Sequence, residues 1–285
     1  MKTISATLPP DESAKRILSE TAVAAVLKAG GIQRQGFGNG IQAEIVHPKD
    51  LKMAVDRECE GVMVDTIRNQ FPRHRILTEE GGNLGGEGDY LWIIDPLDGT
   101  VNYFHGLHQF CACAACCYLP YGKSLPDNGS SLVDCTLIGA VYAPLMDELY
   151  VGISGMGTTL NNKPLSLSPN KELSELIIAI SFGKTESGID HMSDLCRILA
   201  RKARKLRSFG SAGLDIVQVA HGRLGGVLYR GIHIWDIAAA GIILKEAGGM
   251  ISARLKPNGT WNMMASAASV HQELVKITSK PKPFL

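Results

Sequence analysis

The stretch WIIDPLDGTVNYFHG, residues 92–106, sets Asp95 and Asp98 three residues apart, directly behind the apolar run 90–94. Such a run reads as a buried strand, and Pro96 and Gly99 end its regular course. Carboxylates at the end of a core strand are penalised by burial unless a counter-charge meets them. No lysine or arginine occurs between residues 76 and 104. Glu79 shares the setting at the end of the short strand RILT, and so does Asp236 at the mouth of an apolar helix. Taken singly, Asp236 also fits a helix N-cap, Asp98 with Gly99 a turn, and Glu79 with Glu80 a solvated pair. None of these readings accounts for Asp95. A hard divalent cation does, and an all-oxygen donor set suits Mg2+ rather than Zn2+. Proline fixes the backbone so that Asp95, the Leu97 carbonyl and Asp98 converge on neighbouring ions, with Asp95 bridging. Glu79, Asp95, Asp98 and Asp236 carry four negative charges, which two Mg2+ ions cancel, and a phosphate dianion then favours a third. Paired metals roughly 4 Å apart are a recurrent device for in-line attack of water on phosphorus.

The elements that must position these groups follow from periodicity. Residues 12–29 carry apolar side chains at helical spacing up to Gly30-Gly31, and Gly36, Gly38 and Gly40 mark a turn or hairpin. A second helix is expected from Asp56 to Gln70, stopped by Pro72, and a glycine-rich loop follows Glu80. Residues 90–94, 109–119, 136–143 and 148–153 read as strands without long helices between them, the signature of an antiparallel sheet. From residue 173 strands alternate with helices at 190–203, 211–221 and 236–247, with short strands near Leu206 and at 263–268. The expected fold is α/β, an antiparallel α+β half over residues 1–172 packed as one unit with an α/β half over 173–285.

Composition excludes several classes. Of 285 residues, 45% are hydrophobic and 20% charged, and 29 basic against 28 acidic residues leave a net charge of +1. That balance lacks the footprint of a dedicated nucleic-acid binder. The opening MKTISATLPPDES has no apolar h-region, and no run approaches the roughly 20 apolar residues of a membrane span, so a cytoplasmic protein is expected. Seven cysteines include Cys111, Cys113, Cys116 and Cys117 in the run CACAACC. An odd count argues against a disulfide framework, and the apolar strand setting favours buried reduced thiols over a metal-thiolate site. The basic stretch RILARKARKLR, residues 197–207, reads as a solvated helix face, with a second anion site as the alternative.

WIIDPLDGTVNYFHG and GIHIWDIAAAGIILKEAGG resemble the two signatures of the inositol monophosphatase family, Mg2+-dependent, lithium-sensitive phosphatases. The segment from Asp50 to Glu80 is similar to the family's stretch between its T-x-A-D helix start and its G-E-E strand end. DGTV also ends the nucleophile motif of haloacid-dehalogenase-type phosphatases, but the attacking Asp of that motif is here Pro96, so water must attack. The resemblance covers residues 12 to 270 and implies a layered α-β-α-β-α sandwich and, commonly, a homodimer. It implies that Glu79, Asp95, the Leu97 carbonyl, Asp98 and Asp236 are metal ligands. It implies further that Thr100 with Asp56 orients the attacking water, making Asp56, Glu79 and Thr100 the catalytic set. Gly99 and Thr100 N–H groups would hold phosphate oxygens, and Gly210, Ser211 and Ala212 would face the substrate's sugar-like ring.

The sequence departs from the family at Met53-Ala54-Val55-Asp56 and Thr78-Glu79-Glu80, where the acidic residues survive. Inositol-specific members carry a Glu seven residues before the Asp236 position; here that residue is Tyr229, followed by Arg230. A phenol still bonds a ring hydroxyl, whereas Arg230 suits a second anionic group. The expected substrate is thus a small phosphorylated polyol or sugar. Alternatives are fructose 1,6-bisphosphate and 3′-phosphoadenosine 5′-phosphate, although DGTVNY is more like the monophosphatase form. A role as a partner of transcription machinery is the rival from a different class. No membrane partner and no direct nucleic-acid contact are expected.

Overall fold

Helix α1 (Glu12–Gly36) opens on Asp11, whose Oδ1 accepts the Ala14 N–H at 2.8 Å, and it runs past the Gly30-Gly31 pair expected to end it. The reason lies in packing. A Cβ at Gly30 would stand 2.3 Å from Cδ1 of Tyr142, so glycine admits a tyrosine ring against the helix, while a Cβ at Gly31 would meet nothing within 4 Å. Gly30→Ala is expected to cost about 1–3 kcal/mol through overpacking. Gly31→Ala should stabilise by about 0.5–1 kcal/mol, since it only removes backbone entropy. Urea unfolding of both variants checks the pair, and equal shifts would refute this reading of Gly30.

The computed structural model describes residues 10–38, 43–47, 50–167, 171–279 and 284–285, without the side chains of 43–47 and 50–52. Gly40, part of the expected turn, lies outside the described residues. After α1 come the hairpin β1 (Ala43–His47) and β2 (Asp50–Met53), helix α2 (Ala54–Gln70), β3 (Arg75–Thr78) and β4 (Gly82–Asn83). Strand β5 (Tyr90–Asp98) leads into the one-turn helix α3 (Thr100–Phe104), then β6 (Cys111–Tyr118), α4 (Gly129–Cys135) and β7 (Thr136–Ala143). Strands β8 (Glu148–Ile153), β9 (Gly157–Leu160) and β10 (Lys163–Leu165) complete the first sheet. Its order is β10-β9-β8-β7-β6-β5-β3-β4, antiparallel throughout except where β3 pairs with β5.

The second half holds β11 (Ile177–Ile180), α5 (Glu186–Lys202), β12 (Lys205–Arg207), α6 (Ala212–Ala220) and β13 (Gly226–Ile232). It ends with α7 (Trp235–Glu246), β14 (Gly249–Leu255), β15 (Trp261–Ala267) and α8 (Ala268–Thr278). Its mixed sheet has the order β12-β11-β13-β15-β14. Strand β14 and helix α8 were not anticipated from periodicity. The basic stretch splits at Lys202. Its charged side chains face solvent as expected, and Lys205 and Arg207 blunt the exposed edge strand β12.

Period-2 alternation explains the near-continuous apolar strands. Trp92, Ile94, Ala112 and Ala114 point to α1 and α2, while Leu91, Ile93, Cys111, Cys113 and Cys117 point to α6 and α7. Beyond α6 and α7 lie Val227, Tyr229 and Met263 of the second sheet, and its far face is covered by α5 and α8 through Leu195, Leu199 and Leu274. The layers therefore run α-β-α-β-α. All seven cysteines are free thiols, and the four of β6 are buried, as the sequence suggested. Among the described residues no helix is long and apolar enough to cross a membrane.

Candidate metal centre and active site

Strand β5 delivers both aspartates through a bulge. Asp95 pairs with Cys113 and Asp98 with Cys111, three steps against two. The extra residue makes room for Pro96, which has no N–H to give a regular ladder, and the Pro96 carbonyl accepts Gln33 Nε2 at 2.7 Å from α1. Asp95 Oδ1 accepts the Leu97 N–H at 3.0 Å. Its Oδ2 is buried and meets no N–H or hydroxyl donor among the described residues, while the Asp95 carboxyl lies within hydrogen-bonding reach of the Glu79 and Asp236 carboxyls. A buried carboxylate oxygen left that way is costly unless something else meets it.

Asp98 is held from the other half of the chain. Its Oδ2 accepts the Ser211 hydroxyl at 2.6 Å and the Gly213 N–H at 2.7 Å, and Oδ1 accepts the Ala212 N–H at 3.1 Å. These N–H groups are the unpaired donors of the first turn of α6, at the positive end of its dipole. Asp236 lies inside the first turn of α7 rather than at the N-cap, a position that Ile234 takes. Its Oδ2 reaches back to the His233 N–H at 2.6 Å. One oxygen from each of Asp95, Asp98 and Asp236 lies within 4.8 Å of the others.

Glu79 follows β3 in a turn that Glu60 of α2 organises. Glu60 Oε2 accepts the Glu80 and Gly81 N–H groups at 3.1 and 3.2 Å, together with the Thr78 hydroxyl. The gathered carboxyls repel one another. Burial first, and then Asp236, pushes Glu79 up to about 8. Burial and then Asp98 push Asp236 up to about 7, with Lys184 pulling weakly the other way. Asp95 rises well above the usual carboxyl range through burial, then Glu79, Asp98 and Asp236. Asp98 rises through burial despite the Ser211 and α6 donors, which pull it down. Four crowded acids and one unmatched oxygen fit a hard divalent ion.

The remaining expected residues divide into two sets. Gly99 caps α3 at φ +95°, where a Cβ would stand 2.7 Å from the Gln109 carbonyl, and the Thr100 hydroxyl donates to the Leu97 carbonyl at 3.0 Å. Asp56, buried in the first turn of α2, accepts the Met53 N–H at 2.6 Å, and its charge reaches Glu79. These groups gather around the acidic cluster. The expected substrate face instead supports the cluster from behind or stands apart from it. Ser211 and Ala212 are buried and hold Asp98, leaving only Gly210 exposed at the mouth. Tyr229 is buried and donates its hydroxyl to Asp215 Oδ2 at 2.6 Å, so the phenol is committed within the core. Arg230, one residue along β13, faces the opposite side. Its guanidinium stands 5.7 Å over the Phe284 ring and 3.0 Å from His191 Nδ1, on the α5 side of the sheet.

Three supporting residues were missed: Glu60, Asn102 and Asp215. Asn102 Nδ2 bonds the Gln109 and Phe209 carbonyls at 2.7 and 2.6 Å, tying α3 to the loop before α6. Asp215 had a legible signal, a lone acid between Leu214 and Ile216 in the helix AGLDIVQVA, whose one other polar side chain is Gln218. A cavity of about 280 Å³ opens beside it, lined also by Phe209, Leu214 and Gln109. A larger one of about 410 Å³ between α4 and β14 contains none of the acidic cluster, so charge rather than volume marks the site.

A layered sandwich with carboxylates clustered on a bulged strand and two helix mouths presents acidic groups that could hold a metal, an arrangement suited to a phosphatase. The model of the inositol monophosphatase family matches residues 15–279, and the chain belongs to that family. An inositol-1-monophosphatase of Synechocystis is 33% identical over 262 residues, covering 90% of this chain and 86% of that protein. A fructose-1,6-bisphosphatase/inositol-1-monophosphatase of Thermotoga maritima is 34% identical, covering 81% of this chain and 84% of its own. Among solved structures, the extragenic suppressor protein suhB of Bartonella henselae superposes with a TM-score of 0.80 at 26% identity, over 93% of this chain and 99% of that one.

Proposed function

We propose that the chain releases phosphate from a small phosphorylated polyol or sugar, inositol phosphate foremost, in a Mg2+-dependent reaction in which water attacks phosphorus directly. The observation that carries this reading is the convergence of the Asp95, Asp98 and Asp236 carboxyls, with Asp95 Oδ2 buried and meeting no N–H or hydroxyl donor among the described residues. Glu79, Asp95, the Leu97 carbonyl, Asp98 and Asp236 would hold two or three Mg2+ ions. Bound there, the ions supply charge neutralisation for the phosphoryl oxygens and the departing alkoxide. The chain's own groups do the rest. Asp56 and the Thr100 hydroxyl orient the attacking water and accept its proton, and Gly99 and Thr100 N–H groups hold phosphate oxygens. Pro96 leaves no carboxylate where a covalent phosphoryl acceptor would stand.

Both halves, 1–172 and 173–285, contribute to the site, the first through Glu79, Asp95 and Asp98 and the second through Asp236. With the Tyr229 hydroxyl engaged by Asp215 and Arg230 on the far face of β13, few side chains grip the alcohol portion, which favours tolerance of several small phosphate esters. The dual name of the Thermotoga relative agrees with that breadth. A cytoplasmic homodimer is the working state proposed. The test is phosphate release from inositol 1-phosphate, fructose 1,6-bisphosphate and 3′-phosphoadenosine 5′-phosphate, with Mg2+, with Li+ and with chelator. Release that needs Mg2+, falls with Li+ and is fastest on the monoester is expected. Release indifferent to chelator would refute the proposal.

A further inference from the structure

The cysteine run of β6 is not used by the chemistry above, yet two of its thiols lie against the metal cluster. Cys111 and Cys113 share one face of the strand, with their Sγ atoms 3.7 Å apart, and Cys111 Sγ is 3.6 Å from Asp98 Oδ2. One ligand atom from each of Asp98, Cys111 and Cys113 lies within 4.8 Å of the others. Two sulfurs bound about 2.3 Å from one tetrahedral ion stand about 3.8 Å apart, and a sulfur and an oxygen about 3.5 Å. The Cys111–Cys113 and Cys111–Asp98 separations match those edges, and the third lies within 4.8 Å. Ser211 Oγ, 3.8 Å from Cys111 Sγ, stands at the same corner of the site.

We infer that Asp98, Cys111 and Cys113 form a second, inhibitory site for a thiophilic divalent ion such as Zn2+ or Cd2+, sharing Asp98 with the Mg2+ centre. Donor chemistry separates the two sites, because Mg2+ avoids sulfur while softer ions seek it. Charge allows the exchange. The thiols now form a hydrogen-bonded chain from Cys113 through Cys111 to Asp98. When the ion enters, two S–H bonds break, two metal–sulfur bonds form and two protons pass to solvent, with no change of oxidation state. One divalent charge replaces two protons, so the buried site keeps its net charge. Asp98 also belongs to the Asp95–Asp236 cluster, so the two sites share one carboxylate. Drawn toward the thiols, its carboxylate no longer serves Mg2+.

The test adds Cd2+ to the Mg2+-loaded protein and reads the ultraviolet cadmium–thiolate band, with no substrate present. A saturable band at one Cd2+ per chain is expected in the natural protein and in Cys116→Ala, and none in Cys111→Ala/Cys113→Ala. In the phosphatase assay, the Cd2+ or Zn2+ concentration that halves each protein's own rate should rise by at least about tenfold in the double variant, the loss typical when a supporting contact at a metal site is removed. Absence of the band in the natural protein overturns the proposal without any variant. So does a double variant inhibited at the same concentration. The inhibition arm rests on Asp98 being a Mg2+ ligand, whereas the band does not, so the failure of one reading is distinguishable from that of the other.

Discussion

Asp95→Asn loses turnover by about a thousandfold or more, yet the metal-free variant resists urea better than the natural protein at neutral pH. The two effects have one cause. Asp95 is the buried acid with an unmatched oxygen, pressed by Glu79, Asp98 and Asp236. In the absence of a cation the crowded acid must be held protonated at neutral pH, which costs free energy, and a neutral amide avoids that cost while offering N–H donors to the neighbouring carboxyls. A gain of about 1–3 kcal/mol is expected from satisfying a buried group in this way. With Mg2+ the same amide supplies no charge to bridge neighbouring ions, and the rate collapses. Phosphate release at saturating Mg2+, together with urea unfolding in chelator, measures both sides. A variant that turns over within tenfold of the natural rate would remove Asp95 from the centre of the mechanism.

In chelator, stability falls as pH rises from about 4 to about 8, and Mg2+ cancels the fall. Unfolded Asp and Glu release their protons near about 4, whereas the folded chain holds them until Asp236 titrates at about 7 and Glu79 at about 8. Within that window the folded state binds more protons than the unfolded one, so stability declines with pH. Below it both states are protonated and the full stability is present. Each unit of displacement corresponds to about 1.4 kcal/mol, so the fall amounts to several kcal/mol. Binding of Mg2+ to the ionised cluster favours the folded state more strongly at high pH, where the metal competes with fewer protons. Urea midpoints at about pH 5.5 and about pH 8, in chelator and in Mg2+, decide the matter. A midpoint unchanged by pH in chelator would show that the carboxyls ionise freely and that crowding has no energetic cost.

Most of what places the site was legible in the sequence, because it rests on local signals. The apolar run of β5, the proline and the glycine announced that two carboxylates leave a core strand together, and the paired signatures named the family. Long-range packing was not legible. Gly30 reads locally as a helix stop, but only the Tyr142 ring across the layer shows why it continues the helix. Ser211 and Ala212 read as a ligand-facing helix start, yet their donors are consumed by an aspartate from the other half. Arg230 was misplaced by ignoring the period of its own strand, which sends Tyr229 inward and Arg230 to the far side. Asp215 was within reach, since a buried acid between Leu214 and Ile216 of a largely apolar helix requires a partner.

The grip of α6 on Asp98 bears on how this enzyme comes into being. A nascent chain presents Glu79, Asp95 and Asp98 long before residues 211–213 leave the ribosome, and until then Asp98 lacks the donors that seat it. With Asp98 in its proposed role, catalytic competence is expected to be among the last properties the polypeptide acquires during its birth. Truncated products, however well their first sheet is formed, stay silent.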